Sequence, residues 1–297
     1  MRENTKLTTV VNNHRTYCLS VLIILLLAAA SFVQAQTSHF AAAYYNRGND
    51  RYKQGDLNGA IADYDAALIF NPRWALAYNM RGTAKYGNGD IDGSINDYTR
   101  AIEIDPKLAV AHYNRGKARR DKGDLDGSIA DYTKAIEINP RLMSAYNNRG
   151  NARRDNGDLD GAMDDFDKAV RLDQHNAVLY NNRGLVRHAK GDLQGAIADY
   201  DRAIKINPRF ADAYSNRGLV RQDKGDSSGS IADYELAIKS DPFFAKAYGN
   251  RGLARLFQGD KVGAEKDFDH CLELDPKLKP LLKEQIQQAK QTIAARQ

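Results

Sequence analysis

Residues able to do chemistry are few here and poorly spaced for it. Downstream of residue 35 the histidines are His39, His112, His175, His188 and His270. No two share a spacing that would bring two imidazoles to one metal ion. The single downstream cysteine, Cys271, stands where the neighbouring stretches carry alanine, so it reads as a small buried residue. Gly116-Lys117 lacks the rest of a phosphate-binding loop. Asp124-Leu125-Asp126-Gly127 has carboxylates like those of a calcium loop, but its glycine comes too early and the distal glutamate is missing. Helix capping accounts for those aspartates. Ser94 and Ser128 lack the context of a nucleophile elbow. The expectation is no enzyme, no metal and no cofactor.

What does recur is a tripeptide. Asn46-Arg47-Gly48, Asn114-Arg115-Gly116, Asn148-Arg149-Gly150, Asn182-Arg183-Gly184, Asn216-Arg217-Gly218 and Asn250-Arg251-Gly252 share one register, and Met80-Arg81-Gly82 fills the remaining slot. A fixed period of this length means stacked supersecondary units. Seven units follow, 41–74, 75–108, 109–142, 143–176, 177–210, 211–244 and 245–278, with a lead-in at 36–40 and a tail at 279–297. Apart from Gly87 and Gly249, every glycine falls in one of three in-phase series. None is left for a linker, so no domain boundary is expected within the array.

Each unit reads as two helices. In 109–142, Gly123 suits a left-handed residue closing the first helix, and Asp124 suits the N-cap of the second. Asn139-Pro140 at the far end reads as an Asx N-cap with proline at the first position of the next helix. Unit four departs, with Asp173-Gln174-His175 there. On first helices an aromatic stands four residues before the repeat glycine, as Tyr44, Tyr78, Tyr146, Tyr180, Tyr214 and Tyr248, with His112 the exception. On second helices a small residue, an aromatic and an alanine follow at spacings of four and three, as Ala162, Phe166 and Ala169. Small residues let the helices approach closely, and the aromatic fills the space beside them. In the tail, Leu282, Ile286, Ala289 and Ile293 make one apolar stripe on a capping helix.

This frame resembles the tetratricopeptide repeat over 41–278. Unit four matches through Tyr146, Gly150, Ala162, Phe166 and Ala169 without the proline; unit three matches through Gly116, Ser128, Tyr132, Ala135 and Pro140, with His112 in the aromatic slot. The resemblance implies an all-α, right-handed superhelix of antiparallel helix pairs, with first helices lining a concave groove. One departure is systematic. The slot before the repeat glycine, usually leucine in the family, is arginine in all seven units, and each second helix carries an aspartate at a fixed place. Buried unpaired guanidiniums would be prohibitive. The expectation is an ion-pair ladder, exemplified by Arg115 with Asp131 and Arg149 with Asp165. The series from Gly59 to Gly263 falls in the first turn of second helices, where glycine costs up to about 1 kcal/mol each. The sequence gives no reason for it.

In first helices the residues one, five and eight places after the aromatic slot should face the groove. They run Tyr45, Asn49, Tyr52; Asn79, Thr83, Tyr86; Tyr113, Lys117, Arg120; Asn147, Asn151, Arg154; Asn181, Leu185, His188; Ser215, Leu219, Gln222; and Gly249, Leu253, Leu256. The stripe passes from aromatic, through basic and amide, to apolar. The resemblance implies that groove asparagines bond the backbone of a bound peptide, a role Asn114, Asn148 and Asn182 match by position. With Lys117, Arg120, Asn151 and Arg154 they form the candidate site for an acidic peptide or carboxylate, flanked by Tyr45, Tyr52, Tyr86, Leu185, Leu219 and Leu253. The carboxylate clamp that grips chaperone tails is not assembled.

Residues 1–35 read as an export signal: Arg2, Lys6 and Arg15, then an apolar run from Cys18 to Val33, then Val33-Gln34-Ala35 before a cut. An uncleaved anchor over 18–33 is the alternative, and would be the one membrane contact expected. Losing Arg2, Lys6, Arg15 and Glu3 lowers the formal charge from +5 to +3. So even a balance does not call for nucleic acid, although Arg119-Arg120 and Arg153-Arg154 make a nucleic-acid-binding superhelix the second reading. The first is an exported, non-catalytic scaffold, periplasmic or secreted, that holds a protein or extended peptide and no small-molecule substrate.

Overall fold

The computed structural model describes residues 25–27, 34 and 36–295. The export segment expected over 1–35 lies outside them, save for Leu25, Leu26, Leu27 and Gln34. No helix among the described residues is long and apolar enough to cross a membrane. Every regular element among them is helical. The chain packs as two compact units divided between Asp124 and Leu125.

The first unit holds α1 (36–53), α2 (Leu57–Phe70), α3 (Ala75–Gly87), α4 (Ile91–Ile104) and α5 (Ala109–Asp121). The second holds α6 (Leu125–Ile138), α7 (Met143–Asp155), α8 (Leu159–Leu172), α9 (Ala177–Ala189), α10 (Leu193–Ile206), α11 (Ala211–Asp223), α12 (Ser227–Ser240), α13 (Ala245–Phe257), α14 (Lys261–Leu274), a 3-10 turn (Pro276–Leu278) and α15 (Lys279–Ala294). Consecutive helices pair into hairpins, α3 with α4, α7 with α8, α9 with α10, α11 with α12 and α13 with α14.

Between the helices of a hairpin, chain reversal rests on glycine and aspartate. Gly157 takes φ 84°, open to residues without a Cβ. Asp158 then caps α8, its Oδ1 accepting from Gly161 N at 2.9 Å. The aspartate's second oxygen explains the glycine series that the sequence leaves unexplained. A Cβ at Gly161 would lie 2.2 Å from Asp158 Oδ2. Arg153 braces the same cap, with Nε 3.6 Å from Asp158 Oδ2 and Nη1 donating to Gly161 O at 3.2 Å. The glycine lets carboxylate and guanidinium lie flat over the helix end.

The junction between hairpins differs from expectation. Asn71, Asp105, Asn139 and Asn207 do not cap the following helix. Each folds back on the backbone amide two residues on, as Asp105 Oδ1 does on Lys107 N at 3.0 Å. Proline sits inside that tight turn, whose first central position its fixed φ suits. The next helix starts later, behind Trp74, Leu108, Leu142 or Phe210, which supply no side-chain cap. Unit four keeps the turn without proline, Asp173 accepting from His175 N at 3.0 Å, and adds a true cap, Asn176 accepting from Val178 N at 3.1 Å.

Cores are small and repeated. In the hairpin α7–α8, Ala162, Phe166 and Ala169 are completely buried. The space beside Gly150 is taken by the ring of Phe166 from the facing helix, at 3.0 Å from where a Cβ would stand. The tyrosine four residues before the glycine has another task. Tyr214 and Tyr248 donate their hydroxyls to Pro208 O and Pro242 O, tying helix to turn, and His112 Nε2 reaches Pro106 O at 3.1 Å in the same manner. Cys271 is 1% exposed beside Phe268.

Candidate functional site

Two sets of polar residues must be told apart: those that hold hairpins together and those left to face a ligand. Arg149 belongs to the first. Its Nε and Nη2 grip Asp165 at 2.9 and 2.6 Å, and its Nη1 donates to Thr133 Oγ1 of the preceding hairpin at 2.9 Å. Asp165 is 3% exposed, so this fork works in a low dielectric. The same geometry joins Arg47 to Asp63, Arg81 to Asp97, Arg183 to Asp199, Arg217 to Asp233 and Arg251 to Asp267. Arg81, Arg183 and Arg217 also reach back to Asp65, Asp167 and Asp201. Burial alone would lower the Arg217 pKa, but bonds to Asp233 and Asp201 outweigh it and drive the pKa up. Arg115 and Asp131 belong to one repeat but lie on opposite sides of the division between the two compact units; Arg115 Nη1 donates to Thr99 Oγ1 at 3.1 Å.

A second arginine completes the lock, and sequence reasoning missed it. Arg153 Nη1 donates to Asp165 Oδ2 at 2.9 Å, as Arg221 does to Asp233 and Arg255 to Asp267. In the doublet Arg153-Arg154, one member is therefore turned inward, which removes it from any nucleic-acid surface. The signal was available: a basic residue recurs four places after each repeat arginine, one helical turn on.

Asparagines form the inter-hairpin tie. Asn114 Nδ2 donates to Asn79 Oδ1 at 3.1 Å, Asn182 to Asn147 at 3.0 Å and Asn216 to Asn181 at 2.9 Å. Asn148 accepts from Asn147 Nδ2 at 3.2 Å. One of the two Nδ2 hydrogens of Asn114 and of Asn182 is thus spent within the protein, which leaves the other for the peptide backbone expected from the sequence.

The candidate stripe divides between the units. In the first, Tyr45 is half-buried, with its ring 4.4 Å from Trp74, and Tyr52 packs beside it. Tyr86 donates to Asp121, and burial followed by that carboxylate pushes its pKa up to about 12. Lys117 Nζ stands 4.6 Å over the Tyr86 ring. Asn114 and Arg120 stand half-exposed in the same unit. In the second unit Asn148, Asn151, Arg154 and Asn182 are half-exposed. Arg154 Nη2 rests on Asp155 Oδ1 at 2.9 Å, and His188 Nε2 on Asp223 Oδ2 at 2.6 Å. Leu185 and Leu219 are half-exposed at the stripe's middle. The Tyr200 hydroxyl is buried and has no partner among the described residues, whereas Tyr64 finds Asn49 Oδ1 at 2.8 Å. Leu253 leaves the candidate set. It is 8% exposed and covered, with Leu256, by Leu282 and Ala289 of α15.

Helical hairpins repeating on one period, locked inside by ion pairs and varied along one face, define a class of interaction scaffold. Models described as "TPR repeat" match residues 82–119, 116–153, 150–191 and 185–225, and models described as "Tetratricopeptide repeat" match 41–73 and 215–278. The chain belongs to the tetratricopeptide repeat family. No curated protein matches it. Among solved structures, a tetratricopeptide repeat protein from Parabacteroides merdae shares 22% identity and a TM-score of 0.68, over 85% of this chain and 99% of that one. The pilF protein of Pseudomonas aeruginosa shares 15% identity and a TM-score of 0.63, over 76% and 100%. MamA shares 31% identity and a TM-score of 0.50, over 59% and 96%. The first two show the fold alone.

Proposed function

We propose that this chain is an exported, non-catalytic scaffold that holds an extended protein segment against its first helices. One observation carries the reading. The hairpin interiors are nearly identical from period to period, yet the half-exposed stripe changes from Asn151 and Arg154 on α7, to Leu185 and His188 on α9, to Leu219 and Gln222 on α11. A face that needed only water would have no reason for that order. It suits a segment with a carboxylate over Arg154 and apolar side chains over Leu185 and Leu219. Lys117 and Arg120 offer a second cationic stretch on the first unit. Export rests on the basic, apolar and small-residue order of 1–35.

Panning a random peptide display library on the full chain tests the binding. The expected result is enriched peptides with Asp or Glu a few residues from Leu, Ile or Phe. Arg154→Glu should weaken them about tenfold, the effect of a lost charge pair at a partly desolvated site. Peptides with no acidic preference, or unchanged binding by Arg154→Glu, would contradict it. A mature N-terminus at Gln36, read by mass spectrometry from the exporting cell, tests the export reading.

A further inference from the structure

Within each unit, most successive hairpins are joined by two donors on the first helix: a repeat arginine reaching back to an oxygen of the preceding second helix, and a repeat asparagine reaching back to the preceding first helix; at α3 the asparagine slot holds Met80 and Arg81 bridges alone. Arg217 on Asp201 and Asn216 on Asn181 are one such pair. At α1 both donors are present, and neither finds an acceptor on a preceding helix among the described residues. Arg47 turns Nε and Nη2 to Asp63, but its Nη1 has no acceptor among the described residues. Its side chain is 55% exposed, against 12–17% for Arg81, Arg149, Arg183, Arg217 and Arg251. Asn46 is exposed as well.

The far end has the complementary lack for the arginine alone, since the asparagine's acceptor slot, one period after Ser215, holds Gly249. Asp269 on α14 stands one period after Glu235 and two after Asp201. It is exposed, lines a cavity of about 500 Å³ with Lys279 and Lys283, and makes no ion pair among the described residues. The helix lying there is α15. Its first residue, Lys279, falls one period after Ala245, where an eighth first helix would begin. Leu282 and Ala289 cover Leu253, Leu256 and Phe268, but the arginine slot holds Gln285 and the asparagine slot Glu284. The cap shields apolar surface while supplying neither the arginine nor the asparagine of a junction.

We propose that α1 and the α13–α14 surface under α15 are the two halves of one hairpin junction, so that a second copy of this chain docks head to tail when α15 is displaced, with Arg47 of one copy on Asp269 of the next. In this arrangement α15 is a competing occupant that keeps single chains apart. An eighth hairpin would need the carboxylate answered; Gln285 leaves it for Arg47.

Sedimentation velocity of the full chain over a concentration series tests this. The wild type should remain one species. Leu282→Asp with Ala289→Asp, with hydrogen exchange showing α15 released, should form larger species as concentration rises. Adding Arg47→Asp should weaken that association about tenfold or more, and adding Asp269→Arg as well should restore it. Association indifferent to Arg47→Asp, no recovery in the charge swap, or a released α15 without association would each overturn the proposal. If the substitutions unfold α13 and α14 or leave α15 seated, Gln285→Arg in the otherwise native chain decides. It should slow exchange of α15 amides about fivefold or more through Asp269, an effect lost in Asp269→Asn. Equal exchange in Gln285→Arg and wild type would refute the register on which the docking depends.

Discussion

The hairpin interior and the first-helix stripe lie a few ångströms apart and obey opposite rules. Inside, the periods that lie within one compact unit repeat the same parts: an arginine fork on a buried aspartate, an aromatic ring on a bare glycine, a capped second helix. Along the stripe, the residue five places after the aromatic slot is Asn49, Thr83, Lys117, Asn151, Leu185, Leu219 or Leu253. Where the interior is fixed by packing and desolvation, the stripe from Asn49 to Leu219 keeps at least partial exposure. The difference teaches where to look for function in a stacked helical protein: at the positions the packing leaves free to vary.

Substitutions inside should therefore cost stability, and those on the stripe should cost binding alone. Phe166→Ala has the largest expected effect, about 3–5 kcal/mol from a fully buried ring, read as lost hydrogen-exchange protection across α7 and α8. Asp165→Leu should come close to it, about 3 kcal/mol or more, because Arg149 and Arg153 both lose their carboxylate. Arg149→Leu together with Asp165→Leu should cost less than the sum of the two, with a coupling of about 1–3 kcal/mol. Additive changes would remove the ion pair from the account of the interior.

How much of this was legible in sequence follows from the same division. The period, the two helices, Gly157 at its turn and the Arg149–Asp165 pairing could all be read, since each is a residue type that only one local geometry suits. Asn182 with Asn147 could not. Both ends of that bond are asparagines on helices separated by a full hairpin, and their spacing of 35 looks like the repeat itself. Leu253 was misplaced because the apolar stripe Leu282, Ile286, Ala289 and Ile293 marks α15 as a cap without telling which first-helix residues it covers. Asn139-Pro140 was read as a helix start because the same pair favours a tight turn equally well. Gly161 needed coordinates, since its cause is the second oxygen of a neighbouring cap.

That last point yields a smaller prediction. In an Asp158→Ala background, Gly161→Ala should stabilise the chain by up to about 1 kcal/mol, the ordinary helix preference. In the native chain the gain should vanish against a disturbed cap of similar worth, about 1 kcal/mol. Equal effects in both backgrounds, measured by urea titration, would separate the glycine from the cap. Smallest of all is a chemical signature. Burial pushes the Cys271 thiol pKa up, leaving less thiolate at pH 8. Alkylation by iodoacetamide should be slow in the native chain and fast in urea; equal rates would place Cys271 at the surface.

Hydrogen exchange of the full chain with and without a peptide selected on it tests the division most directly. The account predicts added protection in the first helices α7, α9 and α11, none in α8, α10 and α12, and loss of that protection with Arg154→Glu at unchanged thermal stability. Protection spread over the second helices instead, or a peptide footprint untouched by Arg154→Glu, would contradict it.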